Sequence, residues 1–193
     1  MKHIVYIHGM ASSGKIFNHI KAQLPEHKAT VIEYNSSHSI ERSYQTVLEK
    51  LPVDEKFSIV SHSLGGILGY LIAIRGDENI NLEHLVSIST PYGGSDVAGK
   101  LKWFYPGYSV LKDIASNSNI IKEIASNPVD KCQTLCIIST GGTLPFMNEA
   151  NDGVVTLKSQ RKVNTTKRVE VPVNHFESVQ DEQTIREIKN FVF

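Results

Sequence analysis

Cysteine is scarce in this 193-residue chain, with Cys132 and Cys136 as the whole complement. Both lie in or beside one apolar run. If that run is a strand beginning as early as Cys132, four residues separate their Cα atoms by roughly 13 Å, beyond disulfide reach. No second cluster of cysteine and histidine completes a zinc site. A disulfide-stapled scaffold and a zinc domain are thereby excluded, and two small buried thiols are expected. Charge of one sign is lacking too. Lys plus Arg total 20 against 20 for Asp plus Glu, which removes the electrostatic reason to expect nucleic acid or an anionic membrane surface as partner. The one basic run, Lys158 to Lys162 with Lys167 and Arg168 nearby, reads as a solvated face. The N-terminal apolar run, Ile4 to Ile7, is too short for a signal-peptide core or a membrane span, so a buried first strand and cytoplasmic residence are expected. Repeats and low-complexity linkers are missing, and the length suits a single domain, 1–193, with one substantial core.

What the chain does have is a regular alternation of two patterns. Six short apolar, β-branched runs stand out: His3 to Ile7, Ala29 to Tyr34, Phe57 to Ser61, His84 to Ser89, Thr134 to Ser139 and Arg168 to Pro172. Their apolar character is continuous rather than alternating, as in strands covered on both faces. Between them come segments of helical spacing. Phe17, Ile20, Lys21 and Leu24 mark the first, stopped by Pro25. Ile40, Tyr44, Val47, Leu48 and Leu51 mark the second, stopped by Pro52. Leu64 to Arg75 makes a third, and Glu182 to Phe191 closes the chain. Strand and helix in turn give an α/β class with a parallel sheet flanked by helices. One interval breaks the rhythm. More than forty residues separate the fourth and fifth strands, and they hold Trp103-Phe104-Tyr105-Pro106 and an amphipathic stretch from Val110 to Ile124. Part of this interval, about 95–130, reads as an insertion or cap above the ends of the strands.

The chemistry gathers around Ser61-His62-Ser63-Leu64-Gly65-Gly66, which follows a buried strand and opens a helix. That is the setting of a nucleophile elbow, G-x-S-x-G, where a strained strand-to-helix turn lifts the serine hydroxyl above the sheet. Small residues flank such a serine because neighbouring backbone passes close by; Gly65 meets the need, and Ser61 stands where glycine is usual. A serine hydroxyl attacks only when a base takes its proton. Two histidines lie beyond the elbow. His84 opens a strand, at the wrong end of the sheet, whereas His175 follows the last strand and is the candidate base. The acid that orients it belongs on the connection after the fifth strand, where Asn151-Asp152-Gly153 stands. Asp152 is the choice, Glu149 the alternative, and Asp130 precedes the strand. An oxyanion needs preset backbone N–H donors. Leu64, after the nucleophile, supplies one, and the loop after the first strand supplies Met10, with Ala11 as the alternative.

The same loop supports a rival reading. Gly9-Met10-Ala11-Ser12-Ser13-Gly14-Lys15 has the form of a phosphate-binding loop. Ile16 follows where Ser or Thr should hold a magnesium ion, and the strand at Phe57 to Ser61 lacks a terminal acid for that metal. Nucleotide binding would also leave Ser63, Asp152 and His175 without a purpose.

Taken together, His8-Gly9-Met10, the elbow, Thr90-Pro91-Tyr92-Gly93-Gly94-Ser95, Asp152-Gly153-Val154-Val155 and His175 resemble the small bacterial lipases and esterases of the α/β-hydrolase superfamily, across nearly the entire chain and in the family's order. The resemblance implies a minimal six-stranded sheet of spatial order 2-1-3-4-5-6. It implies Ser63 as nucleophile, His175 as base, Asp152 as orienter, and Met10 and Leu64 as oxyanion donors. The expected activity is cleavage of a small-molecule ester or lipid through an acyl-enzyme, without metal or organic cofactor. Thioester, amide or acyl-transfer chemistry on the same site is the alternative, followed by a non-catalytic protein that kept the fold. Trp103, Phe104 and Tyr105 are candidates to line an acyl pocket.

Overall fold

The computed structural model describes residues 1–53, 55–95, 106–143 and 149–193. Six strands form one sheet: β1 (His3–Ile7), β2 (Lys28–Ile32), β3 (Phe57–His62), β4 (Leu82–Ile88), β5 (Gln133–Ser139) and β6 (Lys167–Val171). All neighbours pair in parallel, in the order β2-β1-β3-β4-β5-β6. The chain therefore has the α/β architecture and the strand order that its motifs imply. The sheet's interior strands are largely buried because helices cover both faces, and their successive apolar side chains divide between two cores. Val5, Ile7, Phe57, Ile59, Leu85, Cys136 and Ile138 point to one side. Ile4, Tyr6, Val60, Val86, Leu135 and Ile137 point to the other.

Helices α2 (Ile40–Leu48) and α3 (Leu64–Arg75) lie over the first core, joined by α4 (Val110–Asp113) and α5 (Asn119–Ser126). Helices α1 (Asn18–Gln23) and α7 (Glu182–Val192) lie over the second. Sequence marks several of these starts. Ser39, Ser118 and Asp181 each accept a bond from the backbone N–H three residues on, satisfying a donor that the first turn leaves free. The described part of the long β4–β5 interval packs on the sheet: Val110, Leu111, Ile114, Ile121 and Ile124 are buried in the first core. The short helix α6 (Leu157–Gln160) lies within the run read as a solvated basic face. Lys158 and Lys162 on that run are indeed exposed, but Ser159 and Gln160 are buried.

Both cysteines are free; Cys136 is buried and Cys132 half-buried, and burial pushes both thiols up to about 11. Among the described residues no helix is long and apolar enough to cross a membrane.

Candidate active site

All the candidate residues within the described part of the chain follow the C-terminal ends of strands, which is where open parallel sheets hold their ligands. Ser63 comes directly after β3 and caps α3 with φ 54° and ψ −121°. That left-handed backbone costs a serine about 1–3 kcal/mol and persists only where its surroundings hold it. Two backbone bonds do so: Ser63 N–H donates to Ile88 O at 2.9 Å, and Gly66 N–H to Ser63 O at 2.9 Å. Gly65 is required by close approach, since a Cβ there would collide with the carbonyl oxygens of Ile7 and His8 at the end of β1. Ser61, in the position where glycine is usual, is fully buried, and its hydroxyl donates to Val86 O at 2.8 Å. The extra polar atom is thus paired within the sheet, which is how a serine is accommodated there.

Asp152 is fully buried on the β5–α6 connection. Its Oδ1 accepts the backbone N–H groups of Val154 and Val155, at 2.9 and 2.7 Å. Oδ2 accepts from His175 Nδ1 at 2.8 Å, Ser139 Oγ at 2.5 Å and Gln160 Nε2 at 3.1 Å. Burial acts to raise this carboxyl's pKa, but the bonds from His175, Ser139 and Val155 outweigh it and hold the group below its ordinary value. An ionised Asp152 only accepts, so His175 carries its proton on Nδ1 and leaves Nε2 as the basic nitrogen. The backbone of His175 is pinned as well. Its N–H donates to Asp152 O at 2.9 Å, and its carbonyl accepts from Ser178 Oγ at 2.8 Å and His62 Nε2 at 3.0 Å. His62 is buried, and burial followed by the nearby His175 pushes its pKa down to about 3, so it stands neutral.

The loop after β1 is fixed from the opposite side. Tyr34 donates to His8 O at 2.7 Å and stacks on the His8 ring, centroids 4.5 Å apart. Ala11 has a left-handed backbone, φ 52°, and its N–H is taken by Ser36 Oγ at 2.9 Å. Of the two donors weighed on this loop, Ala11 is therefore engaged elsewhere. The phosphate-loop reading meets a carboxylate: Gly14 N–H donates to Glu33 Oε1 at 2.8 Å, and Glu33 Oε2 lies 3.3 Å from His8 Nε2. An acidic side chain on that N–H opposes a phosphate.

One cavity of about 550 Å³ is lined by Gly9, Met10, Ala11, Ser12, Ile16, His62, Ser63, Gly153, Val154, His175, Phe176, Val179 and Gln180. Ser63, His175 and Met10 thus share a space, Asp152 is hydrogen-bonded behind it, and Leu64 follows Ser63 as the first residue of α3. Glu149 stands apart from His175, with its Oε1 3.9 Å from Lys158 Nζ and about half its side chain exposed. Trp103, Phe104 and Tyr105 lie outside the described residues. Sequence reasoning passed over Ser139, Gln160 and His62. Gln160 sat inside a lysine-rich run that masked its burial. Ser139 looked like the end of a strand, and His62 looked like the variable position of the elbow. A larger cavity, about 620 Å³, includes Leu82, Glu83, Cys132 and Gln133 near the starts of β4 and β5, at the other end of the sheet.

No protein-family model matches the sequence, and no curated protein matches it. Solved structures do. A metagenomic carboxyl esterase superposes with a TM-score of 0.74 at 15% identity, covering 92% of this chain and 65% of the esterase. A lipase-esterase related protein from Clostridium acetobutylicum gives 0.71 at 14% identity, over 99% of this chain and 94% of that one. The mature form of a Bacillus licheniformis lipase gives 0.74 at 17% identity, over 99% and 91%. This chain thus spans slightly under two thirds of the esterase and nine tenths or more of the other two.

Proposed function

We propose, from the α/β-hydrolase fold that this chain adopts, that it is a serine hydrolase of carboxylic esters, with Ser63 as nucleophile, His175 as general base and Asp152 as its orienting acid. The observation that carries the reading is the strained Ser63 turn opening into the same cavity as His175, whose Nδ1 is committed to a buried carboxylate. Strain of this kind on a serine is retained where a hydroxyl must be presented rather than buried.

In the proposed reaction His175 Nε2 takes the Ser63 hydroxyl proton as Oγ bonds to the ester carbonyl carbon. The carbonyl oxygen becomes an oxyanion, and the N–H groups of Met10 and Leu64 receive it. One such donor is worth roughly 2.7–4 kcal/mol to the transition state. The carbon–oxygen bond to the alcohol then breaks, and the alcohol leaves with the proton from His175. Water, deprotonated by His175, attacks the acyl carbon; the acid departs and Ser63 regains its proton. Met10, Ala11, Ile16, Val154, Phe176 and Val179 give the cavity a mainly apolar wall, which suits an ester bearing an apolar arm. Trp103, Phe104 and Tyr105 remain proposed contributors to that wall. The nature of the structural neighbours, an esterase and lipases among them, supports ester chemistry over other acyl chemistry.

Hydrolysis of p-nitrophenyl esters from acetate to palmitate, measured on the wild type and Ser63→Ala side by side, tests the reading. Turnover lost in the variant supports it. Equal turnover in the two proteins removes Ser63 from the chemistry.

A further inference from the structure

Three donors converge on one oxygen of Asp152, and only one of them is His175. Ser139 stands at the end of β5, fully buried. Its hydroxyl makes the shortest contact on Oδ2, 2.5 Å. Gln160 is fully buried as well, and its amide is locked to the backbone of Ser139: Oε1 accepts from Ser139 N–H at 3.1 Å, and Nε2 donates to Ser139 O at 3.1 Å. The second hydrogen on Nε2 reaches Oδ2 at 3.1 Å. With Oδ1 filled by the N–H groups of Val154 and Val155, the carboxylate takes five donors for about four lone-pair positions. Electron density that Ser139 and Gln160 draw from Oδ2 is withheld from the His175 bond.

Beyond Ser139 the chain of hydroxyls continues. Ser139 Oγ lies 2.7 Å from Ser89 Oγ, Ser89 Oγ lies 2.9 Å from Ser178 Oγ, and Ser178 donates to the carbonyl of His175. Both ends of this buried line accept protons, and three hydroxyls provide three protons for four contacts. Ser139 gives its proton to the charged end and Ser178 to the carbonyl, so Ser89 alone is free to choose between two neighbours. Ser89 holds a left-handed backbone, φ 53°, with its N–H on Ile137 O at 2.9 Å.

We propose that Ser139 and Gln160 are positioning residues that set the strength of the His175–Asp152 hydrogen bond by competing with His175 for the same carboxylate oxygen. This inference rests on the triad proposed above. Neither residue touches the cavity; they act through Asp152, moderating how strongly it pulls on the imidazole while fixing which oxygen faces it. Among the described residues, the titratable groups that face His175 are Asp152 behind it and His62 from β3, whose ring centroid lies 4.8 Å away and which is neutral.

The test reads the low-field proton resonance of His175 Nδ1–H by NMR, assigned by its loss in His175→Asn. Ser139→Ala removes one competing donor, so the resonance is expected to move downfield. In parallel, kcat for the best ester should change with KM held, and the acid limb of the pH profile should move to higher pH. Ser89→Ala leaves the donor on Asp152 in place and should move the resonance by less than half as much. An unmoved or upfield resonance in a folded Ser139→Ala protein overturns the proposal. Equal shifts from Ser89→Ala do the same, because they would point to general repacking. If Ser139→Ala does not fold, Ser139→Cys keeps a side-chain atom in the site, slightly larger and a much weaker donor, and it is judged by the same downfield displacement. The resonance needs no turnover. A wild type that cleaves no ester would overturn the proposed function while the NMR result still decides this inference.

Discussion

Replacing Asp152 by Asn changes one atom and asks the buried site to accept a donor where it offers only donors. The carboxylate receives five hydrogen bonds and is fully buried. An amide has one oxygen and one NH2 group. With the NH2 toward Val154 and Val155, two backbone N–H groups lose their acceptor. With the NH2 toward Ser139, the Ser139 hydroxyl can rotate to accept. Gln160 Nε2 cannot, because the Ser139 backbone fixes that amide on both sides. His175 must then move its proton to Nε2, the nitrogen that should be basic. Each buried donor left unpaired costs about 1–3 kcal/mol, so a loss of ~2–5 kcal/mol in stability is expected. The tautomer error adds to this in catalysis: the same exchange in the serine-protease triad lowers kcat about 10⁴-fold, or ~5 kcal/mol of barrier. Urea unfolding and kcat on one p-nitrophenyl ester measure the two effects separately. A folded Asp152→Asn protein within tenfold of wild-type kcat would show that Asp152 does not orient His175 for catalysis. Severe loss from Glu149→Gln in its place would reassign the acid.

Other outcomes follow from the same contacts. Asp152 is held below its unfolded pKa of about 3.9, so the unfolded chain binds the extra proton first. The stability from this carboxylate is fully present above that value and is lost as pH falls through it toward the folded pKa; between pH 5 and 3 the wild type should therefore lose more stability than Asp152→Asn, as read by urea midpoints. Gly65→Ala drives a Cβ into the Ile7 and His8 carbonyls, where nothing can swing aside. Backbone must shift, and a destabilisation of at least ~3 kcal/mol is expected in a thermal or urea melt, at the upper end of overpacking costs; a loss under 1 kcal/mol would contradict the close approach. Phe176 is 70% exposed, lines the cavity and meets the His175 ring edge-on at 5.3 Å. Phe176→Ala should flatten the dependence of kcat/KM on chain length, which for a methylene buried against the ring is about fourfold per CH2; an unchanged slope would show that the apolar arm lies elsewhere.

Much of this fold was legible because its signals are local. Strand β1, His3 to Ile7, and helix α3, Leu64 to Arg75, were readable to the residue, since a buried parallel strand is apolar throughout and an elbow glycine pair fixes where the helix begins. The first helical segment was less legible. Gly14 to Phe17 forms a 3₁₀ turn before α1 begins at Asn18, a distinction that apolar spacing over so short a stretch does not encode. Helix α6 was hidden by its own composition: three exposed basic residues, Lys158, Arg161 and Lys162, flank Ser159 and Gln160, and burial of a polar side chain leaves no hydrophobic period. The residues around the candidate triad follow the same division. Ser63 and His175 announce themselves by chemistry and by their place after strands. Ser139, Gln160 and Ser89 matter only through partners from 8 to 89 residues away in sequence, and no local pattern records such pairings.

Covalent acylation of Ser63 can be read at the serine itself with a fluorophosphonate. This reagent transfers a phosphonyl group to an activated serine and stops there, so intact-mass analysis followed by peptide mapping reads the nucleophile itself. One phosphonyl group per chain is expected, on the peptide containing Ser63, absent in Ser63→Ala and slow to form in His175→Asn. A label on any other residue, or ester turnover by a protein that takes no label at all, would contradict acylation of Ser63.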